Sequence, residues 1–281
     1  MIRFLQKIVD FFVYSNIFIA LAAFVFTLQT AIEFNHSALA AGFFAFTNFI
    51  ATFSLYNIQR VYQSSVFSGT EKLSWYVKNK RLLFTLILVF CSLYLLVFIQ
   101  QAQYFITGLL LYIPVIALSL FYFVPPFSLR QKPYFKIFII GLVWVYTSCF
   151  IPLLYEGIDL TGVAVFSLSE WMYIIAQFLF ISAICIPFDI RDINTDDQLG
   201  IKTLPVQLGV DLAKKIGMGM LVGYILLSQN IYQGIVFAIT GGLGIALIYY
   251  SQDKKHRYYF SILVDGLIIL QFMLYVYLFS Y

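Results

Sequence analysis

Predominantly apolar stretches of about 20 residues, the length at which a helix crosses the hydrocarbon of a bilayer, recur nine times along this 281-residue chain. Inside lipid every backbone N–H and C=O must find its partner within the protein, and a helix supplies those partners within one segment. The runs fall near residues 11–32, 37–56, 82–99, 104–123, 137–154, 171–188, 212–228, 231–250 and 258–278. Composition agrees: 62% of residues are hydrophobic and 11% charged, against roughly 45–50% and 25% in soluble domains. The expectation is an all-α, polytopic membrane protein with nine transmembrane helices, forming one domain over residues 1–281. Ala20-Leu21-Ala22 has the form of a signal-peptidase site but lies within an apolar run, so the first segment reads as a retained helix. A net charge of +4 is too small to argue for nucleic acid. Cys91, Cys149 and Cys185 stand singly in apolar runs and read as packing residues.

The charges sort by loop. With nine spans, every one of the 17 Lys and Arg residues falls in alternate loops, while the opposite loops hold only Glu33, Glu156, Asp159 and Glu170. The positive-inside rule then predicts an integral protein of the cell inner membrane, N-terminus cytoplasmic and C-terminus outside. The cytoplasmic loops are also the long polar ones, so chemistry is expected there. Within them, Glu71 to Arg81, with Trp75 and Tyr76, reads as an interfacial amphipathic helix forming a cytoplasmic cap.

One stretch stands out from the apolar background: Asp189-Ile-Arg-Asp192-Ile-Asn-Thr-Asp196-Asp197. Spacings of three and four place Asp189, Asp192 and Asp196 on one helical face at the end of the sixth span. Three carboxylates so close repel one another at a membrane edge, and a divalent cation resolves the repulsion. Oxygen-only ligands with no nearby His or Cys suit Mg²⁺. Asp265, in the middle of the ninth run, is expected to face the bundle interior. Asn16 reads as an interhelical amide.

The acidic stretch continues Gly200-Ile-Lys202-Thr203-Leu-Pro205, and with it the sequence resembles the UbiA superfamily of intramembrane prenyltransferases. That family's second aspartate motif, Asp-x-x-Asp-x-x-x-Asp followed by Gly-x-Lys-Thr-Leu-Pro, is matched at every marked position. The stretch Phe121-Tyr122-Phe-Val-Pro125-Pro126-Phe-Ser-Leu129-Arg130 with Pro133 and Lys136 is similar to the family's loop after the fourth helix. The resemblance implies nine helices, a cytoplasmic active face, Mg²⁺ on Asp189, Asp192 and Asp196, and an isoprenyl diphosphate donor. It further implies diphosphate contacts from Asn57, Arg60, Arg130, Lys132, Lys136 and Lys202. The departure lies in the first aspartate motif: after Asn57, the four-residue spacings hold Val61 and Ser65 in place of acids.

Two functions follow from these residues. The first is a Mg²⁺-dependent prenyltransferase that moves an isoprenyl group from its diphosphate to an apolar acceptor, aromatic or quinone-precursor, in membrane lipid. The alternative is a catalytically reduced isoprenyl-diphosphate or lipid binding protein on the same fold. A secondary transporter ranks last, since only Asp265 offers a mid-membrane acid. The topology is directly testable. Cysteines placed at Gln101 and Glu156 should react with impermeant thiol reagents in intact cells, whereas cysteines at Lys78 and Lys255 should not; the reverse labelling would overturn the span count.

Overall fold

The apolar run at the N-terminus does not form one helix. In the computed structural model, which describes residues 2–66, 71–99, 102–123, 129, 132, 134–157, 166–228 and 234–279, it divides into α1 (Ile2–Tyr14) and α2 (Ile17–Glu33). The two axes are bent by 66°. Asn16 makes the corner with φ 60° and ψ 14°, a left-handed conformation that Asn adopts more readily than other residues with a side chain. A break in a helix frees carbonyls that lipid cannot satisfy. Here side chains from two later helices, α3 (Ala38–Val66) and α4 (Glu71–Phe98), do so. Asn57 Nδ2 donates to the Ser15 carbonyl at 2.9 Å and to the Phe53 carbonyl at 2.8 Å. Tyr76 Oη donates to the Tyr14 carbonyl. Asn16 Nδ2 closes the knot, donating to Asn57 Oδ1 at 3.0 Å and to Tyr76 Oη at 2.9 Å.

The segment expected to be an interfacial, cap-forming helix is continuous with the span that follows it. No Gly or Pro interrupts residues 71–98, and Glu71 to Arg81 is the first part of the continuous α4. Further along, α4 exposes Leu88, Leu96 and Val97, as a lipid-facing helix does. Next come α5 (Ala102–Phe123) and α6 (Phe135–Val145); a π-helical turn at Tyr146–Phe150 then leads into α7 (Ile151–Gly157).

At the centre stands α8 (Leu168–Arg191), packed between α6 and α11. Its start is fixed by a capping box in which the Ser167 hydroxyl accepts from the Glu170 amide while the Glu170 carboxylate accepts from the Ser167 amide. Short helices α9 (Ile193–Gln198) and α10 (Leu204–Leu208) follow, then α11 (Val210–Ser228) and α12 (Gly234–Tyr250). A second π-helical segment, Tyr259–Val264, leads into α13 (Asp265–Phe279), which returns to pack on α2. Within the apolar core, Tyr224 Oη donates to Gln271 Oε1 at 2.8 Å and Gln271 Nε2 to Gln29 Oε1 at 3.1 Å, linking α11, α13 and α2.

Among the described residues, five helices are long and apolar enough to cross a membrane, and six if α1 and α2 count as one bent span. The others of the nine expected spans are short apolar helices (Leu110–Ser119 and Gly234–Tyr250) or, in α11, a helix that begins with Asp211, Lys214 and Lys215. Lys214 Nζ donates to the Tyr249 carbonyl at 3.0 Å.

The corner at Asn16 yields a paired prediction. Asn16→Ala loses two buried hydrogen bonds and places in the left-handed region a residue that tolerates it less well than Asn, and should lower stability by about 3 kcal/mol, whereas Asn16→Gly, free of any Cβ, should lose about 1–2 kcal/mol less. Thermal unfolding of the detergent-solubilised protein measures both.

Candidate active site

A cavity of about 300 Å³ opens between the α1–α2 corner and helices α3, α5, α6, α8 and the start of α13. Ile140, Val143, Trp144, Ile181 and Ile184 give it an apolar slot, and the charged lining is Arg60, Lys136, Asp189, Arg191, Asp192 and Asp265.

Lys136 organises the acidic stretch. Its Nζ lies 2.8 Å from Asp189 Oδ1 and 2.7 Å from Asp196 Oδ2, joining α8 and α9 to the first turn of α6. The approach depends on Gly141, five residues further along α6. A Cβ there would lie 2.2 Å from Ser182 Oγ and 3.3 Å from the Phe178 ring on α8, so any larger residue would make these side chains move at the helix contact. The start of α6 is set from the other side, where the Tyr134 amide donates to the Lys202 carbonyl at 3.1 Å. Lys202 belongs to the Gly-Ile-Lys-Thr segment, whose shape follows from a helix stop. Gly200, at φ +68°, ends α9 in a paired turn, with Ile201 N donating to the Asp196 carbonyl at 2.8 Å and Gly200 N to the Asp197 carbonyl at 3.0 Å. That turn helps hold Asp196 facing inward.

Asp192 takes a different partner from the other two acids. It caps α8, and Arg191 forks onto it, Nε to Oδ1 and a terminal nitrogen to Oδ2, both at 2.8 Å. Burial pushes the Asp192 carboxyl up, but the hydrogen bonds and charge of Arg191, with Lys136 and Arg60 near, hold it below the ordinary carboxylate value. The Arg191 guanidinium also lies over the rings of Phe188 and Phe260, at 5.1 and 5.2 Å.

The structure therefore brings together Asp189, Asp192, Lys136 and Arg60 in the cavity wall, with Asp196 buried behind Lys136. Asn57 is buried outside the cavity lining, its amide engaged by the Asn16 corner. Lys132 and Lys202 are exposed, and Arg130 lies outside the described residues. Sequence reasoning did not mark Tyr56, Gln59, Trp144 or Ser261, which also line the cavity. Nothing in their local pattern separates them from ordinary span residues.

Mg²⁺ can be weighed against these groups. Among the described residues no three Asp, Glu, His or Cys side chains converge on one point. Asp189 and Asp196 do converge, on the Lys136 ammonium, so a positive charge is already accommodated there. Asp189 Oδ2 is buried and lacks a hydrogen-bond partner. The Cys185 thiol lines the same wall, but the oxygen left open on Asp189 beside two further acids is a hard ligand of the kind that suits a divalent cation such as Mg²⁺.

The sequence model of the UbiA prenyltransferase family matches residues 70–261, which include both the acidic stretch and Lys136. The chain belongs to this family. Two structures of a UbiA homologue from Archaeoglobus fulgidus, one bound to DMAPP and Mg²⁺ and the other to GPP and Mg²⁺, share the fold of this UbiA-family protein. They superpose with TM-scores of 0.55 and 0.56 at 18% identity, covering 92% and 93% of this chain and 98% of theirs. A structure of digeranylgeranylglyceryl phosphate synthase in membranes aligns with a TM-score of 0.51 at 16% identity, over 96% of this chain and 98% of that one. No curated protein matches the sequence. Its family and its long apolar helices make this chain an integral membrane protein.

The buried lysine gives a stability test. Lys136→Met leaves Asp189 and Asp196 facing one another, and breaking such a buried pair should cost about 3–5 kcal/mol. Adding Asp189→Asn to Lys136→Met should restore much of the loss. Unfolding midpoints in detergent with a chelator present measure both, and an unchanged midpoint in the single variant would count against the pairing.

Proposed function

We propose that this UbiA-family protein is a nine-span prenyltransferase of the cell inner membrane, N-terminus cytoplasmic. It would transfer an isoprenyl group from its diphosphate to an apolar acceptor, aromatic or quinone-precursor. One observation carries the reading: a single cavity joins a cluster of carboxylates and cations to an apolar slot, the two environments that a diphosphate and its lipid tail require. The Archaeoglobus relatives, solved with DMAPP or GPP and Mg²⁺, support it.

In this reading Asp189, Asp192 and Asp196 hold Mg²⁺, which when bound supplies positive charge to the diphosphate leaving group. The protein's own groups do the rest. Arg60 faces the cavity from α3 and offers a planar fork to the diphosphate where the family's first-motif acids are missing. Lys136 adds a point charge, with the exposed Lys132 and Lys202 and, outside the described residues, Arg130 as further candidates for the diphosphate. Asn57 acts by position, through the corner it locks. The prenyl tail lies along Ile140, Val143 and Ile184, and the faces of Trp144 and Tyr56 stabilise the developing allylic cation. The apolar slot excludes water that would otherwise capture it.

The replacement of first-motif acids by Val61 and Ser65 keeps a second reading in play, a carrier that binds isoprenyl diphosphate without turnover. Pyrophosphate release from geranyl diphosphate separates the two. Asp189→Asn, Asp192→Asn and Asp196→Asn should each slow release by about 100-fold or more, the scale for losing one preorganised electrostatic contact. Asp197→Asn, at an exposed position, should change it little. Arg60→Ala should weaken donor binding by about 1–3 kcal/mol, with the exposed Lys254→Ala as an inert control. Donor binding without pyrophosphate release in the wild type would favour the carrier.

A further inference from the structure

The charged groups of the cavity wall divide by helix. On the α6–α8 side, Lys136 holds Asp189 and Asp196, and Arg191 forks onto Asp192. On the other side α13 presents Asp265, the one charged residue in the span Tyr259–Phe279. An acid in such a span is costly unless it faces a cavity or a partner. Asp265 does face the cavity, half-buried, with Ser261 one turn before it on the same wall. The π-helical segment Tyr259–Val264 ends at the residue before it. The wider turn shifts the register of the side chains that follow, and such segments recur at functional sites. The groups facing Asp265 within electrostatic reach are Tyr56 of α3, with Arg60 beside it, and Cys185 and Arg191 of α8.

Prenyl transfer to a protic acceptor releases a proton, and the cavity must supply somewhere for it to go. Asp189 is held by a lysine and is the open ligand for the cation; Asp192 is forked by an arginine. Cys185 and Tyr56 are weak bases in their neutral forms. Asp265 belongs to a different helix from the donor-side acids and borders the same apolar slot.

We infer that Asp265 is the catalytic base, taking the proton that the acceptor loses as it is prenylated. The inference rests on the prenyltransferase reading. The C1–O bond to the diphosphate breaks, with its electron pair leaving on the diphosphate. The acceptor's nucleophilic atom supplies the electron pair of the new bond to C1. The proton displaced from the acceptor goes to a carboxylate oxygen of Asp265 and then to water at the cavity mouth. The acceptor is therefore a molecule with an exchangeable hydrogen at or beside its reacting atom, as in a phenol or enol. Ionisation of the donor occurs without Asp265, so donor binding and pyrophosphate release do not depend on it.

The test uses the full-length protein in proteoliposomes made with a total lipid extract of its own cells as the acceptor pool, with radiolabelled geranyl diphosphate and Mg²⁺. Wild type should convert label to a prenylated lipid. Asp265→Asn should bind geranyl diphosphate and release pyrophosphate as wild type does, but shift the ratio of geraniol to prenylated lipid at least tenfold towards the alcohol as water captures the cation. Asp265→Glu, which displaces the base by one methylene, should give an intermediate ratio, and carries the test alone if the asparagine variant does not fold. An unchanged ratio would overturn the inference. So would loss of donor affinity or of pyrophosphate release, either of which would place Asp265 with the diphosphate. A wild-type protein that makes no prenylated lipid would instead sink the prenyltransferase reading.

Discussion

The active end of the molecule depends on one ammonium group. Lys136 binds carboxylates from two helices at once, at distances of 2.8 and 2.7 Å, in a place that water barely reaches. Without it the acids of the second motif would repel one another in a medium of low dielectric. With it, α6, α8 and α9 share one register. Gly141 permits the approach, the turn at Gly200 fixes Asp196, and the bond from Tyr134 to Lys202 fixes the start of α6. The Gly-Ile-Lys-Thr segment is thus a structural support for the acids that precede it, acting through its backbone.

The cavity combines a charged, hydrogen-bonded wall on α6 and α8 with a differently equipped wall on α3 and α13. On α3 the polar lining is Tyr56, Gln59 and Arg60, with no acid among them. A fixed cation attracts a diphosphate whether or not a metal is available. Asp265 is the acid of the cavity lining on that side.

How much of this was legible in the sequence follows from how local each feature is. The acidic stretch, its helical spacing and the segregation of basic residues are written in short patterns, and the family was recognisable from them. The break at Asn16 was not legible, because the groups that stabilise it lie 41 and 60 residues away. The resemblance placed Asn57 at the diphosphate; its amide is engaged by that same distant corner. The amphipathic pattern of Glu71 to Arg81, with Trp75 and Tyr76, read as an interfacial helix; that it runs on into the span follows from the absence of a Gly or Pro to stop it. Arg191, inside the motif, was not singled out in the sequence; its fork onto Asp192 depends on the chain geometry at the end of α8.

The locked corner at Asn16 makes α1 a lever. The hydrogen bonds to α3 and α4 fix the fulcrum, and the salt bridge of Asp10 to Arg257, 2.9 Å long, ties the arm to the segment before α13. Ile8 and Phe12 are exposed on that arm, while Val13 and Asn16 form part of the cavity wall. One short helix thus carries both outward-facing apolar residues and part of the cavity wall, so its seat on α3, α4 and Arg257 sets where that wall stands.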